Sequence, residues 1–111
     1  ARDLDLWLAR GVARERLVLG VPFYGYGFGG EKANWSYRDL AALHGKDATN
    51  ADVIGERCAG CRYITHNSPA TIEKKARLAA KKAGGLMVWE LSQDSPGHAL
   101  TKAIGRGLLR E

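Results

Sequence analysis

No stretch of this 111-residue chain approaches the ~20 consecutive apolar residues of a membrane-spanning helix. A membrane is therefore not an expected partner. No charged and apolar leader opens the sequence either. That second absence leaves localisation open, because the first residue is Ala1 and not a methionine. Cysteine is scarce: only Cys58 and Cys61 occur, as Cys-Ala-Gly-Cys. Zinc would need two more ligands, and His66 alone lies close by. A thioredoxin-like redox pair would open a helix after a strand, whereas this pair lies in a glycine-rich loop. The pair fits either two free thiols or a local disulfide. Blocks of like charge are missing as well. The net charge is +5 and the sequence pI about 9.5. However, the basic residues are spread over helix faces, and no run is long enough to serve as a nucleic-acid arm. No internal repeat or low-complexity tract stands out.

What is present is organised around Gly84-Gly85-Leu86-Met87-Val88-Trp89-Glu90-Leu91-Ser92-Gln93-Asp94. Two glycines can end a helix, since a left-handed cap costs glycine no steric penalty. Leu86 to Val88 form a continuous apolar run, which fits a strand covered on both faces, as in a parallel sheet. Trp89 and Glu90 then stand at the strand's C-terminal end, where α/β barrels and open α/β sheets hold their ligands.

The rest of the chain falls into punctuated elements. Asp3 to Arg10 reads as a short helix with Leu4, Trp7 and Leu8 on one face, Trp7 as core and Gly11 as the stop. Leu17 to Tyr24 reads as a strand, with Pro22 tolerable only near its end. Tyr24-Gly25-Tyr26-Gly27-Phe28-Gly29-Gly30 reads as a loop of alternating rings and glycines. Its rings either face outward, where the C–H face of a sugar can meet the π surface, or pack under the turn. Ser36 is placed to cap a helix from Tyr37 to His44, with Asp39 three residues on, Trp35 as a staple and Gly45 as the stop. Lys46 to Arg62 shows no regular element. Ser68-Pro69 opens a helix running to Lys82, with Ile72, Ala76, Ala79, Ala80 and Ala83 on a narrow face. Glu73 and Arg77 form an i,i+4 pair on its far side, where Leu78 also falls. Ser95-Pro96 opens a last helix with an apolar stripe of Leu100, Ala103, Ile104 and Leu108. Two buried strands joined by a helical crossover make a βαβ unit.

Three stretches, in order, carry a family resemblance. Leu17-Val18-Leu19-Gly20-Val21-Pro22-Phe23-Tyr24-Gly25 resembles the seventh barrel strand of the glycoside hydrolase family 18 chitinases. Tyr63-Ile64-Thr65-His66-Asn67-Ser68-Pro69-Ala70-Thr71-Ile72 resembles the lead into the helix before the eighth strand, and the Trp89 string resembles the eighth strand itself. The resemblance implies an α/β fold, part of a (β/α)8 TIM barrel with parallel C-terminal β/α units. Residues 1–111 would be a C-terminal segment, since a whole barrel needs roughly 200 to 250 residues. Residues 46–62 would be a reduced form of the insertion that family members carry between these strands, leaving a more open cleft.

The same resemblance implies a chitinase-like glycosidase acting on β-1,4-linked N-acetylglucosamine polymers by substrate-assisted chemistry, exported from the cell, with no cofactor and no metal. It assigns no catalytic residue here. The Asp-x-x-Asp-x-Asp-x-Glu motif is absent, and Asp3-Leu4-Asp5-Leu6-Trp7 lacks its first Asp and its Glu. Substrate-binding residues are carried over at Trp89, as the tryptophan beneath the sugar, and at Tyr24, beside the cleft. Tyr26 joins them where many members carry arginine. Glu90 is expected to point away from Trp89 into a structural role. The expected partners are chitin or its oligosaccharides, together with the remainder of the barrel or a second copy, because two strands leave their edges unpaired. The rival expectations are a non-catalytic, lectin-like relative and a small α/β interaction domain without a sugar role.

Overall fold

A computed structural model describes residues 2–109. Its elements, in chain order, are α1 (Arg2–Ala9), β1 (Val18–Pro22), β2 (Tyr24–Phe28), β3 (Asn34–Ser36), α2 (Tyr37–His44), α3 (Lys46–Asn50), β4 (Val53–Gly55), β5 (Tyr63–Thr65), α4 (Pro69–Lys82), β6 (Gly85–Trp89) and α5 (Ala99–Leu109). They form two sheets: a parallel pair β1–β6, and an antiparallel sheet ordered β3-β2-β5-β4.

The two apolar runs of the sequence are the parallel pair, with Val18 opposite Gly85 and Pro22 opposite Trp89. Side chains alternate across a strand, so Leu19, Val21, Leu86 and Val88 share one face. That face is covered by helices. Val21, Phe23, Tyr37, Ile72, Leu100 and Ala103 form one buried cluster, against which Leu86 and Val88 pack. Leu4, Ala79 and Ala83 form a second, joined by Leu19 and by Leu78. Each fully buried large side chain, such as Phe23, Ile72 and Leu100, contributes about 1.5–3 kcal/mol to the folded state. Leu78, on the polar side of its helix by sequence, is thus explained by α1, which packs against that flank of α4.

The other face of the pair is bare. Val18 and Met87 are more than half exposed, and Trp89 exposes 62% of its surface. The apolar run therefore has cover on one side only among the described residues, and the expectation of a strand covered on both faces is not met here.

Helix α4 begins and ends where its sequence says. Ser68 caps it, accepting a hydrogen bond from the Thr71 N–H, and Pro69 takes the first turn. Its small-residue face lets α5 come close. A Cβ on Gly107 would run into the Glu73 carbonyl and the Ala76 side chain. The Glu73–Arg77 pair forms at 2.9 Å, and Arg106 of α5 adds a second contact to Glu73 at 2.6 Å.

Several expectations are corrected. Neither Gly84 nor Gly85 takes a positive φ. Gly84 is required instead because the backbone of Glu15 crosses directly over it, where its N–H donates to the Leu17 carbonyl at 2.8 Å. Trp7 is 53% exposed rather than core, because only Leu4 of its face reaches the helix layer. The last helix starts at Ala99, not at Ser95-Pro96, and Leu108 of its stripe is exposed.

The largest correction lies between β1 and α4. The ring-and-glycine stretch read as a loop is strand β2, paired with β3 and β5. The stretch 46–62 read as irregular contains α3 and β4, and β4 pairs with β5. Glycine makes β2 possible by proximity: a Cβ on Gly25 would strike the Thr65 carbonyl, and one on Gly27 the Lys32 carbonyl. A third small core of Leu40, Ala48 and Ile64, with Trp35 and Ile54 against it, holds this sheet to α2 and α3. Between β4 and β5, Cys58 and Cys61 are joined in a disulfide with Cα atoms 5.1 Å apart, which decides between the two readings of the pair.

Candidate functional site

Trp89 is the last residue of β6, and its position is fixed through the main chain. Phe23, the single residue between β1 and β2, donates its N–H to the Trp89 carbonyl at 2.8 Å, extending the parallel ladder by one rung. The Trp89–Glu90 peptide is cis. The chain then makes a short turn over Leu91–Gln93, where the Glu90 N–H donates to the Gln93 Oε1 at 3.2 Å. Asp94 closes the segment. It is buried, and its two oxygens accept from the N–H of Ser95 and Leu100 and from the N–H and hydroxyl of Thr101, at 2.7–3.0 Å. The tryptophan therefore stands on a rigid main chain while its ring faces solvent.

That ring borders an open cleft of about 370 Å³ lined by Tyr24, Asn34, Trp35, Ser36, Trp89 and Gln93. On its other side a smaller hollow, of about 250 Å³, is lined by Gly20, Pro22, Tyr24, Met87 and Trp89. Trp89 and Tyr24, taken separately from the sequence, are thus brought together. Tyr26 lies beside Tyr24, with ring centroids 5.6 Å apart and nearly perpendicular. The neighbouring Tyr26 phenol, with slight burial second, raises the pKa of the Tyr24 phenol. Near neutral pH it stays a neutral donor. Tyr26 does not line the cleft itself; it is 49% exposed on the same face of β2. Glu90 is half-buried at the turn and lines neither hollow.

Asn34, Trp35, Ser36 and Gln93 are cleft residues that sequence reasoning missed. In the sequence, Ser36 and Trp35 read as helix-start signals. Ser36 does cap α2, accepting from the Asp39 N–H at 3.1 Å. But both residues also belong to β3, whose pairing with β2 carries them to the cleft. The indole N–H of Trp35 donates to the Lys32 carbonyl at 2.8 Å, and the Lys32 ammonium lies 5.0 Å from the ring centroid. Only the hairpin pairing, which no local signal announces, could have found Asn34, Trp35 and Ser36; Gln93 reaches the cleft through the turn after Glu90.

Behind the cleft, a polar cluster ties the small sheet to α4. Asp52 accepts from the Ser68 N–H at 2.8 Å and from the Thr71 hydroxyl at 2.6 Å. Burial pushes the Asp52 carboxyl up, but these bonds outweigh it, and its pKa lies below the usual value. His66 is buried, and among the described residues neither of its ring nitrogens has a hydrogen-bond partner, nor has the Tyr37 hydroxyl; the two rings lie 6.1 Å apart. Burial lowers the His66 pKa, with the charge of Asp52 opposing. Burial, and secondly the charge of Asp94, raises that of Tyr37.

Comparison with known proteins matches these features to one group. Residues 1–94 match the model of the glycosyl hydrolases family 18. Chitinase 63 of Streptomyces plicatus is 29% identical over 90% of this chain, which covers 19% of that protein. The crystal structure of the GH18 chitinase ChiB from the chitin utilization locus of Flavobacterium johnsoniae superposes with a TM-score of 0.74 at 31% identity, over 95% of this chain and 32% of that one. A class V chitinase from Nicotiana tobaccum, solved in complex with NAG4, shares the fold at 18% identity with a TM-score of 0.67, over 94% of this chain and 38% of that one. The chain thus spans about a fifth to under two fifths of these relatives. Its parallel pair, crossover helix and terminal helix are part of the family's TIM barrel. With a family match over most of its length and a fold to agree, the chain belongs to the glycosyl hydrolases family 18.

Proposed function

We propose that this chain supplies the floor and one wall of the sugar cleft in an exported chitinase that hydrolyses β-1,4-linked N-acetylglucosamine polymers. The single observation that carries the reading is Trp89: a large ring, mostly exposed, held on a fixed backbone at the C-terminal end of a parallel strand, with Tyr24 beside it. Barrel enzymes place their ligands at that end. Tyr24, Asn34, Ser36 and Gln93 surround the ring with hydroxyl and amide groups, which suit the hydroxyls and N-acetyl group of an uncharged sugar. The proton donor of hydrolysis comes from elsewhere in the enzyme, since no Asp-x-x-Asp-x-Asp-x-Glu motif lies in this sequence. The Cys58–Cys61 disulfide agrees with an oxidising, extracellular setting.

Calorimetric titration of N-acetylglucosamine oligomers into the protein that carries this chain tests the reading, with Trp89→Ala as the variant. Covering one ring face, roughly 80 Å², at ~25 cal/mol per Å² is worth about 2 kcal/mol. Affinity should fall about thirtyfold. Equal affinity in the variant would remove Trp89 from the site.

A further inference from the structure

The positive charge of this chain is unevenly placed. Helices α4 and α5 hold seven lysines and arginines and one acidic residue, Glu73, a net +6. The whole chain carries +5, so all its other residues together come to −1. The excess falls on the outward side of the two helices. On α4, Ile72, Ala76 and Ala79 are buried, while Lys74 and Lys81 are exposed, with Arg77 between them at helical spacing. On α5, Leu100, Ala103 and Gly107 are buried, and Lys102 and Arg106 stand exposed one turn apart. Glu73 joins the two helices, 2.9 Å from Arg77 and 2.6 Å from Arg106. Lys74, Lys81 and Lys102 make no ion pair among the described residues. Like charges one turn apart repel, so this arrangement adds nothing to the stability of the fold.

We propose that the outward face of α4 and α5 is a docking surface for a linear acidic polysaccharide, separate from the Trp89 cleft. The inference does not rest on the sugar-cleft reading, whose polymer is uncharged and makes no use of these cations. Charge complementarity names the partner as an anion. Lys74 to Lys81 covers about 10 Å along the helix axis, and packed helices lie roughly 8–10 Å apart. The cations therefore form a patch that meets successive charges of a polymer. Arg77 and Arg106 offer planar forks that match a carboxylate, and the lysines offer mobile point charges. Neither helix contains an aromatic residue, so the face has no stacking surface for nucleic-acid bases and no aromatic anchor for a bilayer interface. Its position keeps it open. Helices form the outer ring of a (β/α)8 barrel, and further strands of the barrel would join at the edges of β1–β6, away from this side.

The test titrates polygalacturonate, which carries a carboxylate on every sugar, into the complete protein carrying this chain. Binding should weaken at least about tenfold between about 50 and 200 mM salt, as counterions compete. Lys74→Gln, Lys81→Gln and Lys102→Gln combined should lower the affinity at low salt about tenfold and flatten that salt dependence. The control combines Arg38→Gln, Lys46→Gln and Arg57→Gln, which removes as many exposed charges from outside the two helices, and should bind as the unaltered protein does. All six positions are exposed, so both variants should keep the melting midpoint of the unaltered protein. Both should also keep its affinity for the N-acetylglucosamine hexamer. Equal losses in the two variants would trace binding to overall charge and overturn the surface, as would an unaltered protein that does not bind polygalacturonate. Hexamer affinity that falls in step with polygalacturonate affinity would overturn its separation from the cleft. Tighter binding of anionic phospholipid vesicles or single-stranded DNA, lost in the first variant alone, would overturn the choice of partner.

Discussion

Asp94 gives the sharpest quantitative test of how the Trp89 segment is held. Its carboxylate accepts four hydrogen bonds, from the N–H groups of Ser95, Leu100 and Thr101 and from the Thr101 hydroxyl. Bonds to a charged acceptor are worth about 1.5–3 kcal/mol each, so a naive sum would reach roughly 6–12 kcal/mol. That overshoots, because Ser95 and Thr101 lie near solvent and water can replace the lost acceptor. The Leu100 N–H has no such recourse, since its residue is fully buried at the start of α5. Leaving it unpaired costs about 1–3 kcal/mol, and the emptied site adds the loss of the other bonds in part. Asp94→Ala should therefore destabilise the protein by about 3–5 kcal/mol. Asp94→Asn should fall between. Its amide oxygen can still serve Ser95 and Leu100, while its NH2 faces the Thr101 N–H, donor against donor. Urea unfolding of the three proteins, with the slope held constant, checks the order. A loss below about 1 kcal/mol for the alanine variant would mean that this network is incidental to the fold.

Two further outcomes follow from the packing. His66 is buried with a lowered pKa, so the unfolded chain takes up its proton first as the pH falls. Its contribution to stability is complete above the free histidine value of about 6.5 and declines from there toward the lower folded value. Urea midpoints should drop between pH 7.5 and 5, and His66→Phe should remove part of that drop; an unaltered slope would exclude His66 as its source. Gly84→Ala drives a methyl group into the Glu15 main chain and should cost about 1–3 kcal/mol as overpacking. An unchanged melting midpoint would show that the crossing can widen freely.

What the sequence made legible was what local chemistry controls. The Ser68-Pro69 start, the Ser36 cap, the Gly11 and Gly45 stops and the two parallel strands are set by neighbours a few residues away, and all appear in the structure. The small sheet was not legible because its strands are short and glycine-rich. β3, β4 and β5 are three residues each, too short to show a period, and β2 owes its glycines to backbones that cross it from distant positions. The sites divide the same way. Trp89 and Tyr24 stand out in their own strings, and the structure places both on the lining of one cleft. Asn34 and Gln93 became cleft residues only once a hairpin and a turn had folded them there. Trp7 misled in the opposite direction: helical spacing placed it with Leu4, but spacing does not say how far the neighbouring layer extends.

The path of the chain through the small sheet has a consequence for how such clefts diversify. Only Phe23 separates β1 from β2, and three residues separate β5 from α4, while β2 and β5 are hydrogen-bonded neighbours. Entry and exit therefore lie side by side, like the two legs of a plug. Apart from Tyr37, which reaches the main core, and Asp52, which holds the start of α4, what lies between those legs can lengthen, shorten or change its surface with little effect on β1, α4 or β6. The floor of the cleft and the height of its wall are thus separately adjustable, and Tyr24 sits on the seam between them.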